Sequence, residues 1–396
     1  MKGYIIKLMK TSKHNFKLLT MFGFLILIIG NNYIFTQERF TNPMAGNLEA
    51  GSVKGAFCMP EHDVWGGSVI HHEDCKYYMF ANAWPANAPG GIYTTSSQIV
   101  LAVSDSPDGP YEYKKKIIPF RDKKYWDGGS AFNPALRKYN GTFYLFYTGN
   151  TYPFDRPNSN ESIGKKGDTI FDIAWNNKRI GVATAKNPLG PWKRYDKPII
   201  ETRKEHWDCV LTSNAAPVIH DDGSVTLYYK SSNIPHEDRP PKKLIDGVPR
   251  FSIGVAKADH VFGTYRRLGK DDGRINIEGQ FIALEDPFAW HDGDYYYMVV
   301  KNFEKEFSDE NGAALYIRSE DGVNWHLPSN TAKAYSQQLT WKEGISMEVR
   351  RLEKPHILFE NGKPAWLFAA CNLGNINKKH CGCKSCVYNV VFKIKQ

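Results

Sequence analysis

Along most of the chain, apolar residues alternate with polar ones in short runs rich in Tyr, Phe, Val and Ile. The runs are bounded by Gly, Asn, Asp or Pro, the pattern of half-buried β-strands joined by tight turns. Five segments repeat one scheme of apolar strand, turn and aromatic-rich strand: GSVIHHEDCKYYMFANAW, NPALRKYNGTFYLFYTGN, APVIHDDGSVTLYYKSSN, DPFAWHDGDYYYMVVKNF and KPHILFENGKPAWLFAACN. Each predicts a hairpin, and Asn-Gly or Asp-Gly is the strongest short-range signal for one. Aligned on the turn, Cys75, Gly141, Gly223, Gly293 and Gly362 fall in register at separations of 66, 82, 70 and 69 residues.

A second element follows in the first three units, QIVLAVSDSPDGPYEY, RIGVATAKNPLGPWKRY and SIGVAKADHVFGTYRRL, with a looser ALYIRSEDGVNWHL in the fourth. Two hairpins per unit predict a four-stranded antiparallel sheet too small to bury both of its faces alone, so the units must stack around an axis. The expected fold class is therefore all-β, a five-bladed β-propeller of four-stranded antiparallel blades. A sandwich is the alternative, and the period disfavours it. The last strand, CVYNVVFKIK, is expected to pair with another blade and close the ring.

The first 37 residues follow a different rule. Lys2, Lys7, Lys10, Lys13 and Lys17 precede an apolar run from Leu18 to Gly30, the layout of a signal peptide cleaved near Gln37. The run is short against the about 20 residues of a membrane span. An uncleaved anchor is the alternative to export, and no stable span is expected after cleavage. The expected organisation is thus a signal peptide over 1–37 and one propeller over 38–396, secreted or periplasmic. Removing the leader takes five of the 51 basic residues and none of the 42 acids, so the formal +9 falls to +4. A mildly basic domain with no cluster of Lys, Arg and interleaved aromatics excludes nucleic acid as the expected partner. Seven Cys are present. The tail CNLGNINKKHCGCKSC groups Cys371, Cys381, Cys383 and Cys386 with His380, and local disulfides are the expectation there rather than a metal site, since the spacing matches no standard zinc module.

In a propeller the innermost strands line a central channel, and polar residues just before them converge at one mouth. The segments there are EHDVWGGS, YWDGGSAFNP, HWDCVLTSNAAP, ALEDP and RRLEKP, and every blade offers a carboxylate: Asp63, Asp127, Asp208, Glu285 with Asp286, and Glu353. Blades two and three share Trp-Asp-x5-Asn, which sets Asp127 and Asn133 at the offset of Asp208 and Asn214. Asp before a strand also caps turns, and Trp also fills space between blades. Glycosidic cleavage needs paired carboxylates, one to protonate the leaving oxygen and one to activate water or attack the anomeric carbon. Crowded acids push some members' pKa up, which supplies both forms at once. Trp65, Trp84, Trp126 and Trp207 are candidate platforms for sugar rings.

The SxxPxGPW/Y turn after an IGVA strand, with Asp-Pro or Asn-Pro entering the next hairpin, resembles the five-bladed glycoside hydrolases of families 43, 32, 62, 68 and 117. It covers roughly residues 55 to 396, and WDxxxxxNP, EDP and LEKP look most like an uncharacterised branch, with EDP also similar to the family 130 mannoside phosphorylases. Family 43 implies a base Asp from blade one, a second Asp tuning pKa from blade two, and an acidic Glu from a later blade. Where that family has the first Asp this chain has Gly66 and Gly67, leaving Asp63 as a displaced substitute. Blade two has Asn133 before Pro134, leaving Asp127 as the nearest carboxylate. Some members carry a cation in the channel, so the resemblance implies a channel Ca2+ at most, near His356. No cofactor is required.

The resulting expectation is an exported, exo-acting glycoside hydrolase on oligo- or polysaccharide. Asp127 and Asp208 belong to the acid/base set, Glu285, Asp286 or Glu353 completes it, and Asp63 is in reserve. Trp65, Trp126, Asn133, Trp207, Asn214, Arg351 and His356 are the expected substrate-binding residues. Two rivals remain: a phosphorylase or transglycosylase with Arg350, Arg351 and Lys354 as a phosphate clamp, and a non-catalytic sugar-binding propeller. The insert from Tyr152 to Lys178 and the stretch from Ser232 to Arg250 are expected to shape the pocket.

Overall fold

A computed structural model describes residues 39–86, 92–153, 168–238, 244–245, 248–269, 273–305, 307–374 and 386–396. The expected leader and the tail residues His380, Cys381 and Cys383 lie outside the described residues.

The hairpin repeat becomes five antiparallel sheets around one axis. Their innermost strands are His62–His71, Ser130–Tyr139, Leu211–Ile219, Leu284–His291 and Arg351–Glu360. Each pairs with the aromatic-rich strand that follows its turn: Tyr77–Pro85, Thr142–Asn150, Val225–Ser232, Tyr296–Asn302 and Lys363–Asn372. Blades one to four add two outer strands apiece. Blade five differs. CVYNVVFKIK does not cross to another blade. It forms Val387–Lys393, the third strand of its own sheet, and its outer edge is met by the N-terminal segment through antiparallel bridges Leu48 to Ile394 and Phe57 to Asn389. Residues 48 and 57 thus cover part of the outer edge of that blade.

The apolar residues form one core at each interface between neighbouring blades. Period-two alternation is the cause. In the second strand of blade three, Val225, Leu227 and Tyr229 pack toward blade two, while Tyr228 packs toward blade four. A sheet with two buried faces and neighbours on both sides cannot stand alone, so the cores hold the blades as a ring.

The IGVA strands owe their glycine to close packing. A Cβ on Gly181 would lie 2.1 Å from the Trp126 ring, and one on Gly254 would lie 2.4 Å from the Tyr229 ring. Gly181→Ala is expected to destabilise the fold by about 1–3 kcal/mol, the usual cost of overpacking, read as a lower urea midpoint. An unchanged midpoint would mean that the Trp126 ring moves aside freely.

Candidate active site

Every innermost strand carries a β-bulge at the same place, where the register to its partner slips. The residue at the bulge has a left-handed backbone in all five: Gly66 (φ 60), Asn133 (φ 53), Asn214 (φ 53), Asp286 (φ 57) and Lys354 (φ 57). Gly, Asn and Asp tolerate that conformation, whereas for Lys it costs roughly 1–2 kcal/mol. Strain of this kind collects at functional sites. The Asn-Pro, Asp-Pro and Lys-Pro pairs in the sequence are these bulges. Proline follows because it has no N–H to give to an interrupted ladder.

The five positions meet around the axis. Lys354 Nζ lies 3.3 Å from Asp286 Oδ1. Asn214 Nδ2 donates to the same oxygen, and Asn133 Nδ2 donates to Asn214 Oδ1 at 2.6 Å. Gly66 completes the ring, its missing side chain leaving room for Lys354 Cε, which a Cβ there would meet at 3.5 Å.

A second tier comes from the neighbouring strand of each blade, which reaches across to the next blade's bulge. Asn82 Oδ1 accepts from the Asn133 amide at 3.3 Å, and Thr148 Oγ1 accepts from the Asn214 amide at 3.1 Å. In the next two blades the reaching residue is lysine. Lys230 Nζ donates to Glu285 Oε1 at 2.5 Å, and Lys301 donates to Glu353 Oε1 while standing 3.8 Å from Glu285 Oε2. Arg351 flanks Glu353 at 4.0 Å and is half exposed. The sequence reading missed Lys230 and Lys301, although YYKSS and MVVKN place them alike in successive second strands.

This setting separates Asp286 from Glu285. Burial pushes the Asp286 carboxyl above its ordinary value; Lys354 pulls against that, and the charges of Glu285 and Glu353 add to it. Burial would raise Glu285 too, but Lys230 and Lys301 outweigh it and hold that carboxyl well below the carboxylate range. For Lys354, burial lowers the ammonium pKa against the pull of Asp286. For Lys301, the charges of Glu353, Glu285 and Asp286 overcome burial and raise it. Asp286 is thus the group most inclined to hold a proton, beside a carboxylate pinned in its ionised form.

Asp127 and Asp208 do not join this set. Asp127 is caged by Arg121, with Nε 2.5 Å from Oδ1, by Arg194 at 3.2 Å and by the Tyr147 hydroxyl at 2.7 Å. Asp208 has the same cage in blade three: Arg203 at 2.9 Å, Arg267 at 3.1 Å and the Tyr229 hydroxyl at 2.9 Å. These partners come from the lead-in loop, the second strand and the outermost strand of each Asp's own blade. Both carboxylates are buried, each held by two arginines and a tyrosine. Trp126 and Trp207 stack on the caged tyrosines at 5.4 and 6.0 Å. The Trp-Asp-x5-Asn pattern thus joins a structural cage to a site residue.

His356 is also moved out of the substrate set. It is buried, with Nε2 3.0 Å from the Val69 amide nitrogen and 2.8 Å from the Val69 carbonyl oxygen, so it ties blade five to blade one. Burial lowers its pKa to about 3, with Arg137 adding to the effect, so the ring is neutral. Asn133, Asn214 and Arg351 remain at the mouth. Trp65 and Asp63 lie half-buried on the blade-one side, just before the Gly66 bulge, with backbones paired to Asn82 and Trp84.

The described parts of the two long excursions supply further residues that the sequence reading had not singled out. One forms the helix Thr169–Asn176, whose buried Phe171 and Ala174 hold it down and whose Trp175 lies 3.1 Å under the Lys178 ammonium and 5.6 Å from that of Lys230. Tyr93, on the short helix Tyr93–Ser96, packs on Trp175 at 6.1 Å and on Trp84 at 5.9 Å. From the other excursion, His236 packs on Trp175 at 4.9 Å and places Nδ1 2.5 Å from Asp172. Aromatic faces on one side and ionisable groups at the base are what a pyranose or furanose ring needs, apolar contact for its C–H face and polar partners for its hydroxyls.

No protein-family model and no curated protein matches the sequence. Solved structures do match the fold. Zg3597, a family 117 glycoside hydrolase produced by the marine bacterium Zobellia galactanivorans, aligns with TM-score 0.57 at 17% identity over 88% of this chain and 90% of its own. BT0996, solved as an RGII complex, aligns with TM-score 0.58 at 16% identity over 90% and 92%. CoXyl43, a GH43 β-xylosidase/α-arabinofuranosidase from a compost microbial metagenome, aligns with TM-score 0.54 at 14% identity over 87% and 94%. The chain therefore has the five-bladed β-propeller fold found in glycoside hydrolases of families 117 and 43.

Proposed function

We propose that this protein is an exported glycoside hydrolase whose reaction centre lies between blades four and five. Asp286 is the proton donor and Glu353 the partner that activates water or attacks the sugar. The carrying observation is Asp286: a buried carboxyl on the axis, raised in pKa, beside Glu285, which lysines hold in its charged form. Glu285 has an ammonium against each oxygen and serves to hold Lys230 and Lys301. Among the described residues the ion pair at Glu353 Oε2 is with Arg351, at 4.0 Å, and Glu353 is the better acceptor. The glycosidase neighbours support this reading at the level of fold. RGII, the partner in the BT0996 complex, is the first substrate to try, within a panel of oligosaccharides that also tests exo-action. The leader pattern and the disulfide at Cys58 support export to an oxidising compartment.

The pH profile tests the donor. kcat/KM is expected to fall as pH rises through the Asp286 pKa, because the group can give a proton only while it holds one. Glu285→Gln removes a negative charge that helps Asp286 keep its proton and frees Lys230 to oppose it, so the alkaline limb should move to lower pH. A limb that stays in place would count against Asp286 as donor.

One observation favours a second reading. The bulge positions of the first three blades, Gly66, Asn133 and Asn214, hold no acid, and a sugar-binding propeller would not need one. Binding of a glycan with no product after prolonged incubation would select it. A phosphorylase would use Arg351 and Lys354 at the mouth as its clamp, and turnover in phosphate-free buffer would exclude it.

A further inference from the structure

Four residues beyond Asn133 on the same strand, about 13 Å deeper along it, the channel is occupied by Arg137. Its side chain is part-buried, and the guanidinium hydrogen-bonds to main-chain carbonyls of three blades: Nη1 to Leu136 O at 2.8 Å, Nε to Pro217 O at 2.8 Å and Nη2 to Ala289 O at 3.3 Å. The Phe288 ring lies 5.0 Å from its central carbon. Among the described residues no carboxylate pairs with it. Burial lowers its pKa to about 10, so it carries its charge at neutral pH. Asp127 and Asp208 each hold two arginines. Arg137 stands alone against carbonyl dipoles.

Carbonyl oxygens gathered around a positive charge form the ligand set that a hard cation such as calcium also takes. A channel ion beside His356 would meet the Arg137 charge at short range, and the oxygens able to hold it are already bonded to a planar donor that reaches three of them at once. The donor set of this channel does not fit the metal ion implied by the family resemblance.

We propose that Arg137 is the resident axial cation of this propeller, tying the inner strands of blades two, three and four through their carbonyls, so that the chain folds and stays stable with no metal in its channel. The guanidinium is part of the chain, so its local concentration does not depend on medium or chelator.

The test uses the purified full chain. Metal content is measured after exhaustive dialysis against EDTA, and thermal unfolding is followed with EDTA and with excess calcium. The expected result is a metal-free protein whose Tm is the same in both. In parallel, Arg137→Lys keeps the charge but cannot reach three carbonyls, and Arg137→Met keeps the volume but loses the charge. Both are expected to melt at least about 3 °C lower, Met by more than Lys. A Tm of the unmodified protein that falls in EDTA and recovers with calcium would overturn the proposal, as would an Arg137→Met variant as stable as the parent. If neither variant folds, the metal arm on the unmodified protein still decides.

Discussion

Asp286→Asn is expected to lower kcat by about 10²- to 10⁴-fold, the range for loss of a positioned general acid, while the protein stays folded. The substitution keeps the shape and the acceptor oxygen for Asn214, and it removes only the proton that the reaction consumes. Lys354, whose pKa burial lowers, loses an ion-pair partner, so Tm is measured beside kcat. Glu353→Gln should fall by a similar factor for the complementary reason, since an amide can neither accept the proton of water nor attack carbon. Activity measured on whichever glycan the panel identifies, with Tm as control, separates the two roles from folding. Near-normal kcat in Asp286→Asn would move the donor elsewhere, and Asp63 on the blade-one side would be the next group to replace. Loss of kcat in both variants with unchanged Tm would place the chemistry between blades four and five.

The opposite outcome is expected in the cages. Asp208→Asn should reduce the free energy of unfolding by about 3–5 kcal/mol, because two arginines drawn into the cage lose the charge that holds them there. The folded fraction should keep its kcat. Arg203, Arg267 and Tyr229 all converge on one buried carboxylate, so the substitution cuts several charge-assisted bonds at once. Asp127→Asn should behave alike through Arg121, Arg194 and Tyr147. Urea unfolding at fixed pH reads the loss directly. A stable but inactive Asp208→Asn protein would restore to that residue the catalytic role its sequence position suggests.

The contrast between these variants shows how far the site can be read from the chain. The pairs Asn133-Pro134, Asp286-Pro287 and Lys354-Pro355 were visible as entries to hairpins, but only the paired strands show that the ladder slips there. Glu285, Asp286 and Glu353 stood out as acids beside them. Lys230 and Lys301 did not, since a lysine in a strand usually faces solvent and only the approach of the next blade turns these two into partners of Glu285 and Glu353. Arg137 was not singled out, because nothing local says which carbonyls its guanidinium will meet.

The sequence by itself determined the number of blades, their turns and the alternation that builds a core between each pair. All of these follow from spacing and residue type over short distances. Which repeated feature is scaffold and which is site was decided only in three dimensions. The Trp-Asp pair recurs because each of two blades needs the same brace, so its recurrence marks a structural duty. The axial positions read Gly, Asn, Asn, Asp and Lys, and they differ because five equivalent points around one axis become different ends of a single site. A pattern search finds what repeats, whereas chemistry at the centre of a ring depends on what each blade does differently.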